Sequence, residues 1–416
     1  MLPALLAAQN YVHQVIVVNE GQYDYANEVQ LTPVSFGTFD PANNTYTHIS
    51  DIANVRFASD VEVDDQNIYI AADTLLLTFD RDTYQAVSQT TIKGIRKIAL
   101  WNDQVLLTRG EYGGFDHYFE ARDRDDLSLV YMLDSISGPQ YSGEGIAIDG
   151  DIAYLAINNG FDWGNYVGRL GMVDLIAQSY NGYTDLGMNG TNPENVMISN
   201  GAVYTLNNKD FTGSSISKVN ISNGVNEYTD DVASGSSCGT SAIVEDVVYY
   251  QEYAVDKLAR FNVMSQTIVD TLVNSLSYYG MVNDEINGVI YATSTDFVSS
   301  GDLHVMQHDG IILSTIAVGV SPGNLALDVR MNIGVEELSG QYSLSISPNP
   351  TNGVIKIQSE KMIKEIAVID ASGRVLISQK VNNINVSIDI TDLESGVYFV
   401  RSEIGSELIV ERVMRQ

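Results

Sequence analysis

Hydrophobic and polar positions alternate in a pattern that returns along the chain. A run of β-branched and aromatic residues occurs seven times, at 15–19 (VIVVN), 68–72, 105–109, 152–157, 203–207, 247–251 and 289–293. Runs of this length and composition predict strands. Most are followed by a second strand ending in an Asx turn, at Asp40, Asp174, Asn220, Asn262 and Asp309, with Asp80 arriving sooner and Asp123 less cleanly. Asp and Asn suit that place because their side chains bond backbone two residues on and tolerate turn dihedrals. From the second copy onward another short apolar strand comes first, at 55–63, 95–100, 145–148, 195–198, 240–244 and 279–282. Its lead-in is often rich in Gly or Pro, as in Ser142-Gly143-Glu144-Gly145 and Asn192-Pro193-Glu194-Asn195.

The period is therefore about 40 to 50 residues with about four strands in each unit, the size of a propeller blade rather than of a helical repeat. The first copy has no strand before it, while residues 320–329 (VSPGNLALDV) carry that leading strand with nothing after. Residues 324–329 are thus expected to supply the innermost strand of the N-terminal blade, closing the ring and removing its exposed edges. The fold class this predicts is all-β: a seven-bladed β-propeller over 12–331, closed by N- and C-terminal strands, and then a second module.

That module follows a linker at 332–341. Short alternating strands at 354–358, 366–370, 374–380, 386–390, 397–401 and 408–413 predict a small Ig-like β-sandwich over 342–416. Pro348 and Pro350 cannot donate to a ladder and mark an edge or a turn. At the other end, residues 1–9 form a short apolar run reaching small residues at Ala7 and Ala8, which reads as the remnant of a secretory signal peptide without its basic segment.

Two resemblances attach to these patterns. Asn19-Glu20-Gly21 after a hydrophobic strand, the Gly/Pro lead-ins before 146–148 and 325–327, and the Asx turns resemble the YncE-like seven-bladed propellers of Bacteroidota. Some surface proteins of that family bind corrinoids, so the resemblance implies a vitamin-like macrocycle as one candidate ligand. The second module resembles the type A C-terminal sorting domain of the type IX secretion system. The matching stretches are 347–353 (SPNPTNG), 369–374 (IDASGR), 393–400 (LESGVYFV) and 409–415 (IVERVMR), with Pro348, Asn349, Pro350, Gly353, Gly373, Gly396 and Tyr398 as motif residues. This implies the type IX machinery as a partner, and a protein that is secreted or held on the outer-membrane surface.

Charge narrows the ligand classes. The formal net charge is −31, and residues 1–340 hold 44 acidic side chains against 14 basic ones, while 341–416 are nearly balanced. So acidic a surface repels nucleic acid and anionic lipid. No apolar stretch approaches a transmembrane length. The lone cysteine, Cys238, excludes an intramolecular disulfide and reads as a small buried hydrophobe.

Candidate chemistry sits on the connections between the second and third strands of the units, which share one face of a propeller. They pair aromatics with acids or amides: Tyr23, Tyr25, Tyr112, Phe115, Phe161, Trp163, Tyr166, Phe211, Tyr253 and Phe297. Exposed rings on loops supply rigid contact area for sugars, flat macrocycles or proteins. No catalytic, cofactor or metal motif is recognised: His304 and His308 read as a surface pair, and Asp123, Asp125 and Asp126 are expected to be neutralised by Arg122 and Arg124. The leading expectation is a non-catalytic binding protein for a corrinoid-like macrocycle or a glycan. The alternative is an extracellular propeller hydrolase or lyase acting on a polymer, through loop carboxylates such as Glu111 and Asp162.

Overall fold

The computed structural model describes residues 9–209, 213–232, 240–252, 257–272, 276–332, 344–370, 374–404 and 407–416. The chain divides into two compact units, residues 9–332 and a C-terminal unit ending at Gln416.

Among the described residues of the first unit, seven four-stranded antiparallel sheets follow one another in chain order. They are the blades of a propeller. Six are made from consecutive strands, with Asp60–Val63, Ile95–Trp101, Gly143–Asp149, Pro193–Ser199, Ser241–Val244 and Tyr278–Asp284 innermost. The remaining sheet joins the two ends of the unit, in the order Pro322–Asn332, Gln9–Asn19, Val34–Asp40, Thr45–Ile52. Leu325 lies opposite Val17 and Ala326 opposite Ile16, so the expected closure is the one observed. Residues 55–63 differ from expectation, since only Asp60–Val63 is strand. Asn54 takes a left-handed φ of 62° there, and Arg56 is drawn aside into a bidentate pair with Asp73, at 2.7 and 2.6 Å.

Alternate residues of the second strand in each blade face opposite neighbours, which is why these runs are apolar throughout. Ile16, Val18 and Phe36 of the first blade pack on Ile68, Ile70 and Phe79 of the second, with the two phenylalanine rings 4.8 Å apart. Val15, Val17 and Phe39 turn instead to Tyr291, Leu303 and Val305 of the seventh.

Glycine sets how closely the innermost strands approach. A Cβ on Gly145 would stand 2.6 Å from the carbonyl of Glu194, and one on Gly280 2.3 Å from the carbonyl of Gly323, in both cases against backbone of the next blade. Gly145→Ala is therefore expected to spread the fourth and fifth blades and to cost about 1–3 kcal/mol, read as a lower urea midpoint.

In the second unit the strands are Leu344–Ser347, Val354–Asp370, Val375–Asp389, Gly396–Ile404 and Glu407–Arg415. The separate strands expected at 354–358 and 366–370 are one long strand, and those at 374–380 and 386–390 are another. Neither junction contains Gly or Pro to stop the ladder, and bulges between Gln358 and Glu365 bend it instead. Ile355, Ile357, Ile363, Ile366, Val368, Val400 and Val413 form its core. Gly373 lies outside the described residues.

The sorting-motif residues meet at the last strand. Asn349, set between two cis X-Pro bonds, donates from Nδ2 to the Arg412 carbonyl at 2.7 Å and accepts from the Met414 amide at 2.9 Å. Its side chain thus stands in for a strand partner. Gly353 is needed because a Cβ would run into Thr391 Oγ1, and the buried Tyr398 donates from its hydroxyl to the Glu394 carbonyl at 2.8 Å. Asn349→Ala removes both bonds to the edge strand, at a cost of about 1–2 kcal/mol, and faster hydrogen exchange of the Met414 amide is the expected sign.

Candidate functional site

In a four-stranded antiparallel blade the start of the innermost strand, the end of the second and the start of the third lie on one face. The long connections at 20–33, 110–116, 158–168 and 295–299 all leave from that face. Through it runs a central cavity of about 580 Å³, walled by the first residues of the innermost strands. Its volume falls in the range of small-molecule sites.

The wall is charged. Glu20, Asp60, Glu62, Glu144 and Glu194 line it, together with Arg96, Lys97 and Tyr279. Glu20 arrives through the Asn19-Glu20-Gly21 turn, each residue of which has a part. The buried Asn19 accepts from the Gly319 amide at 3.0 Å and donates to Tyr46 Oη at 3.1 Å, fixing the first blade to the seventh. Gly21 takes a φ of 69° and gives its amide to the Val320 carbonyl at 3.0 Å, which turns the chain out. Glu20 between them points inward and accepts from the Tyr279 hydroxyl at 2.7 Å.

The two cations are already engaged. Arg96 Nε donates to Glu144 Oε1 at 2.8 Å. Lys97 Nζ donates to the Ser59 carbonyl at 2.8 Å, to Asn324 Oδ1 at 2.9 Å and to Asp60 Oδ1 at 3.3 Å. Asp60 also accepts from the Ile98 amide at 2.8 Å. Glu194 accepts from Asn208 Nδ2 at 3.2 Å. The Glu62 carboxyl has no hydrogen-bond partner among the described residues.

Burial governs how these groups ionise, because a wall that shields them from bulk water disfavours the charged form. It pushes Glu62 up to about 8, helped by the neighbouring Asp60 charge. It pushes Glu194 up to about 8, helped by Glu144. Glu20 reaches about 7, the Tyr279 hydrogen bond holding it back. Asp60 is also raised by burial, with Lys97 opposing. Near neutrality the carboxyls of Glu62 and Glu194 are therefore mostly protonated.

None of the described loop aromatics lines the cavity itself; they are carried on the loops of that face in two ways. Tyr25, Tyr112, Trp163 and Phe297 are 63, 81, 78 and 47 % exposed. Two of these and several further rings also pack: Tyr23 meets Tyr25 edge-on at 4.9 Å, Phe297 meets Tyr279 at 4.9 Å, and the Arg109 guanidinium lies 4.2 Å from the Phe115 ring. Phe161 lies over Arg96 of the preceding blade at 5.3 Å and against Gly110, so a rim ring and a throat cation touch. Tyr166 is half-buried. Phe211, Tyr253 and Cys238 lie outside the described residues.

Other expectations need correction. His304 is buried rather than superficial. Its Nε2 lies 2.8 Å from Ser294 Oγ and its Nδ1 3.0 Å from Thr315 Oγ1, and desolvation lowers its pKa. Arg122 and Arg124 do not serve the neighbouring aspartates: Arg122 pairs with Glu120 and Arg124 with Asp64. Asp123 and Asp126 are held instead by backbone amides of their own turn. Among the described residues no group of three or more His, Cys, Asp or Glu could hold a metal ion, and no helix is long and apolar enough to cross a membrane.

Residues 345–416 match the family model described as a secretion system C-terminal sorting domain. That type IX signal marks the protein as one secreted or held on the outer-membrane surface. No curated protein matches the chain in sequence. Solved structures similar to it include BamB from Moraxella catarrhalis, with a TM-score of 0.48 and 12% identity over 84% of this chain and 97% of that one. A chain of Kuenenia stuttgartiensis hydrazine synthase is similar with a TM-score of 0.50 and 14% identity, over 67% of this chain and 91% of that one. At such identity the likeness is one of fold alone.

Proposed function

We propose that the protein is a binding propeller of the YncE-like kind from a member of the Bacteroidota, exported through an N-terminal signal peptide and the type IX system, that captures an extracellular ligand at the mouth of its central cavity. The observation that carries this reading is the coincidence of two features: a polar cavity of about 580 Å³ walled by the first residues of the innermost strands, and exposed aromatics on loops that leave from the same face. The rings supply flat contact surface and the carboxyls supply acceptors, or donors when protonated, so a glycan fits the site. A corrinoid-like macrocycle is the other ligand class in view, resting on family resemblance. The triple variant Trp163→Ala, Tyr112→Ala, Tyr166→Ala is expected to weaken capture at least tenfold, at about 1.4 kcal/mol for each factor of ten, without lowering thermal stability. Ligand copurifying from native culture medium in equal amounts with the triple variant and the parent would refute the choice of face.

A second reading, an extracellular hydrolase or lyase acting on a polymer, is supported by one specific observation. Burial raises Glu20 to about 7 and Glu194 to about 8, values at which a carboxyl can serve as a general acid near neutrality. Release of reducing or unsaturated ends from extracellular polysaccharide, abolished by Glu20→Gln, is the result this reading requires. Stoichiometric capture without turnover sets it aside.

A further inference from the structure

The throat carries more acid than its own cations match, and the surplus is unevenly placed. Arg96 and Lys97 both come from the innermost strand of the third blade, and each already holds a carboxylate, Glu144 and Asp60 respectively. Glu20, Glu62 and Glu194, from the first, second and fifth blades, have no ion-pair partner among the described residues. Two of the three accept a single neutral hydrogen bond, from Tyr279 and from Asn208, and Glu62 accepts none.

Resting on the reading of this cavity as the ligand site, we propose that the ligand is an organic cation, an amine-bearing molecule whose ammonium groups sit among Glu20, Glu62 and Glu194 while its carbon chain lies along the aromatic mouth. Three observations converge on that class. The unmatched carboxyls stand in the half-buried wall of a cavity, where attraction to a cation is stronger than at an open surface. Exposed Tyr25, Trp163 and Phe297 offer ring faces, which attract cations and their alkyl chains alike. The net charge of −31 draws cations toward the molecule and holds anions off.

Binding of this kind exchanges protons for the ligand. Each carboxylic acid that meets an ammonium group loses its proton to solvent and becomes the carboxylate of the new ion pair. Of the other groups facing the site, Glu144 stays paired with Arg96 and Asp60 with Lys97, while Tyr279 keeps its hydrogen bond to Glu20. A neutral polyol makes hydrogen bonds to the same carboxyls without displacing a proton.

The test is calorimetric titration of the full-length protein in 0.15 M salt, with spermidine as the cationic probe and maltotetraose as the neutral comparator, at pH 6 and pH 8 and in two buffers of unlike ionisation heat. Spermidine is expected to bind one per chain, about tenfold more tightly at pH 8 than at pH 6, with proton release seen as a buffer-dependent heat. Glu62→Gln and Glu194→Gln, which resemble the protonated side chains and preserve the fold, are each expected to weaken it about tenfold, whereas the surface pair Asp125→Asn, Asp126→Asn leaves it unchanged. Binding of maltotetraose instead, independent of pH and lost in Glu20→Gln, overturns the cation while leaving the cavity as the ligand site. Spermidine binding that falls equally in the surface pair overturns the proposal as general charge attraction. Failure of both probes, with no effect of any throat variant on ligand copurification, overturns the proposal and the site together.

Discussion

Replacing Asp328 by asparagine is expected to destabilise the propeller by about 3–5 kcal/mol, the usual result of leaving buried charge without its partner. Asp328 is fully buried on the closing strand. Its carboxylate accepts from Gln14 Nε2 at 3.0 Å, from Arg81 Nη1 at 3.1 Å and from Arg330 Nη2 at 2.7 Å. It therefore ties three stretches together: the first strand, the second blade and the closing strand itself. Asparagine keeps the shape but cannot neutralise two guanidinium groups, and Arg81, only 12 % exposed in its side chain, has little access to water. Arg330→Ala is expected to cost less, because Asp328 keeps Arg81 and Arg330 is partly solvated. Urea unfolding at pH 7 measures both. A midpoint for Asp328→Asn equal to that of the parent protein would mean that closure depends on the strand ladder alone.

The second large effect depends on pH and has the opposite sign to the usual carboxylate case. Glu62 and Glu194 have folded-state values of about 8, above their ordinary value of 4.5. The folded protein thus binds more protons than the unfolded chain between those limits. The contribution of these two groups to stability is full below about pH 4.5 and is lost progressively as pH rises toward 8. Glutamine at either position imitates the protonated side chain and escapes this loss. Glu194→Gln is therefore expected to match the parent protein at pH 5 and to exceed it by on the order of 2 kcal/mol at pH 8, allowing for water in the channel. Urea midpoints at the two pH values decide the matter: an advantage at pH 5 that vanishes at pH 8 reverses the sign and removes the premise.

Most of the fold was legible because the repeat writes itself in apolar runs. The seven β-branched segments, the Asx turns and the unpaired strand at 324–329 are local signals, and the closure of Leu325 on Val17 follows from them by counting. The long strands of the second unit were less legible, since bulges at bends such as that after Gln358 depend on packing that periodicity does not record. The mouth and the throat divide in the same way. The loop aromatics were visible as a composition anomaly. The carboxyls of the wall were not, because an isolated Glu beside Gly or Pro, as in Gly143-Glu144-Gly145 or Pro193-Glu194-Asn195, looks like part of a turn. A signal was nonetheless present: Asp60, Arg96, Glu144 and Glu194 occupy the first or second place of successive innermost strands, and aligning the repeats on those strands puts the charges in one column. His304 stayed hidden for a related reason, as only the third dimension places it between Ser294 and Thr315.

The sheet that joins Gln9–Asn19 to Pro322–Asn332 also fixes an order of events. The earliest strand of the ring pairs with Val34–Asp40 on one side, but its inner edge cannot be covered until Pro322–Asn332 has been made, so a nascent chain keeps that edge open for nearly the whole of its synthesis. Pairing so distant in sequence is slow. The step that locks the ring is therefore also the one that waits longest.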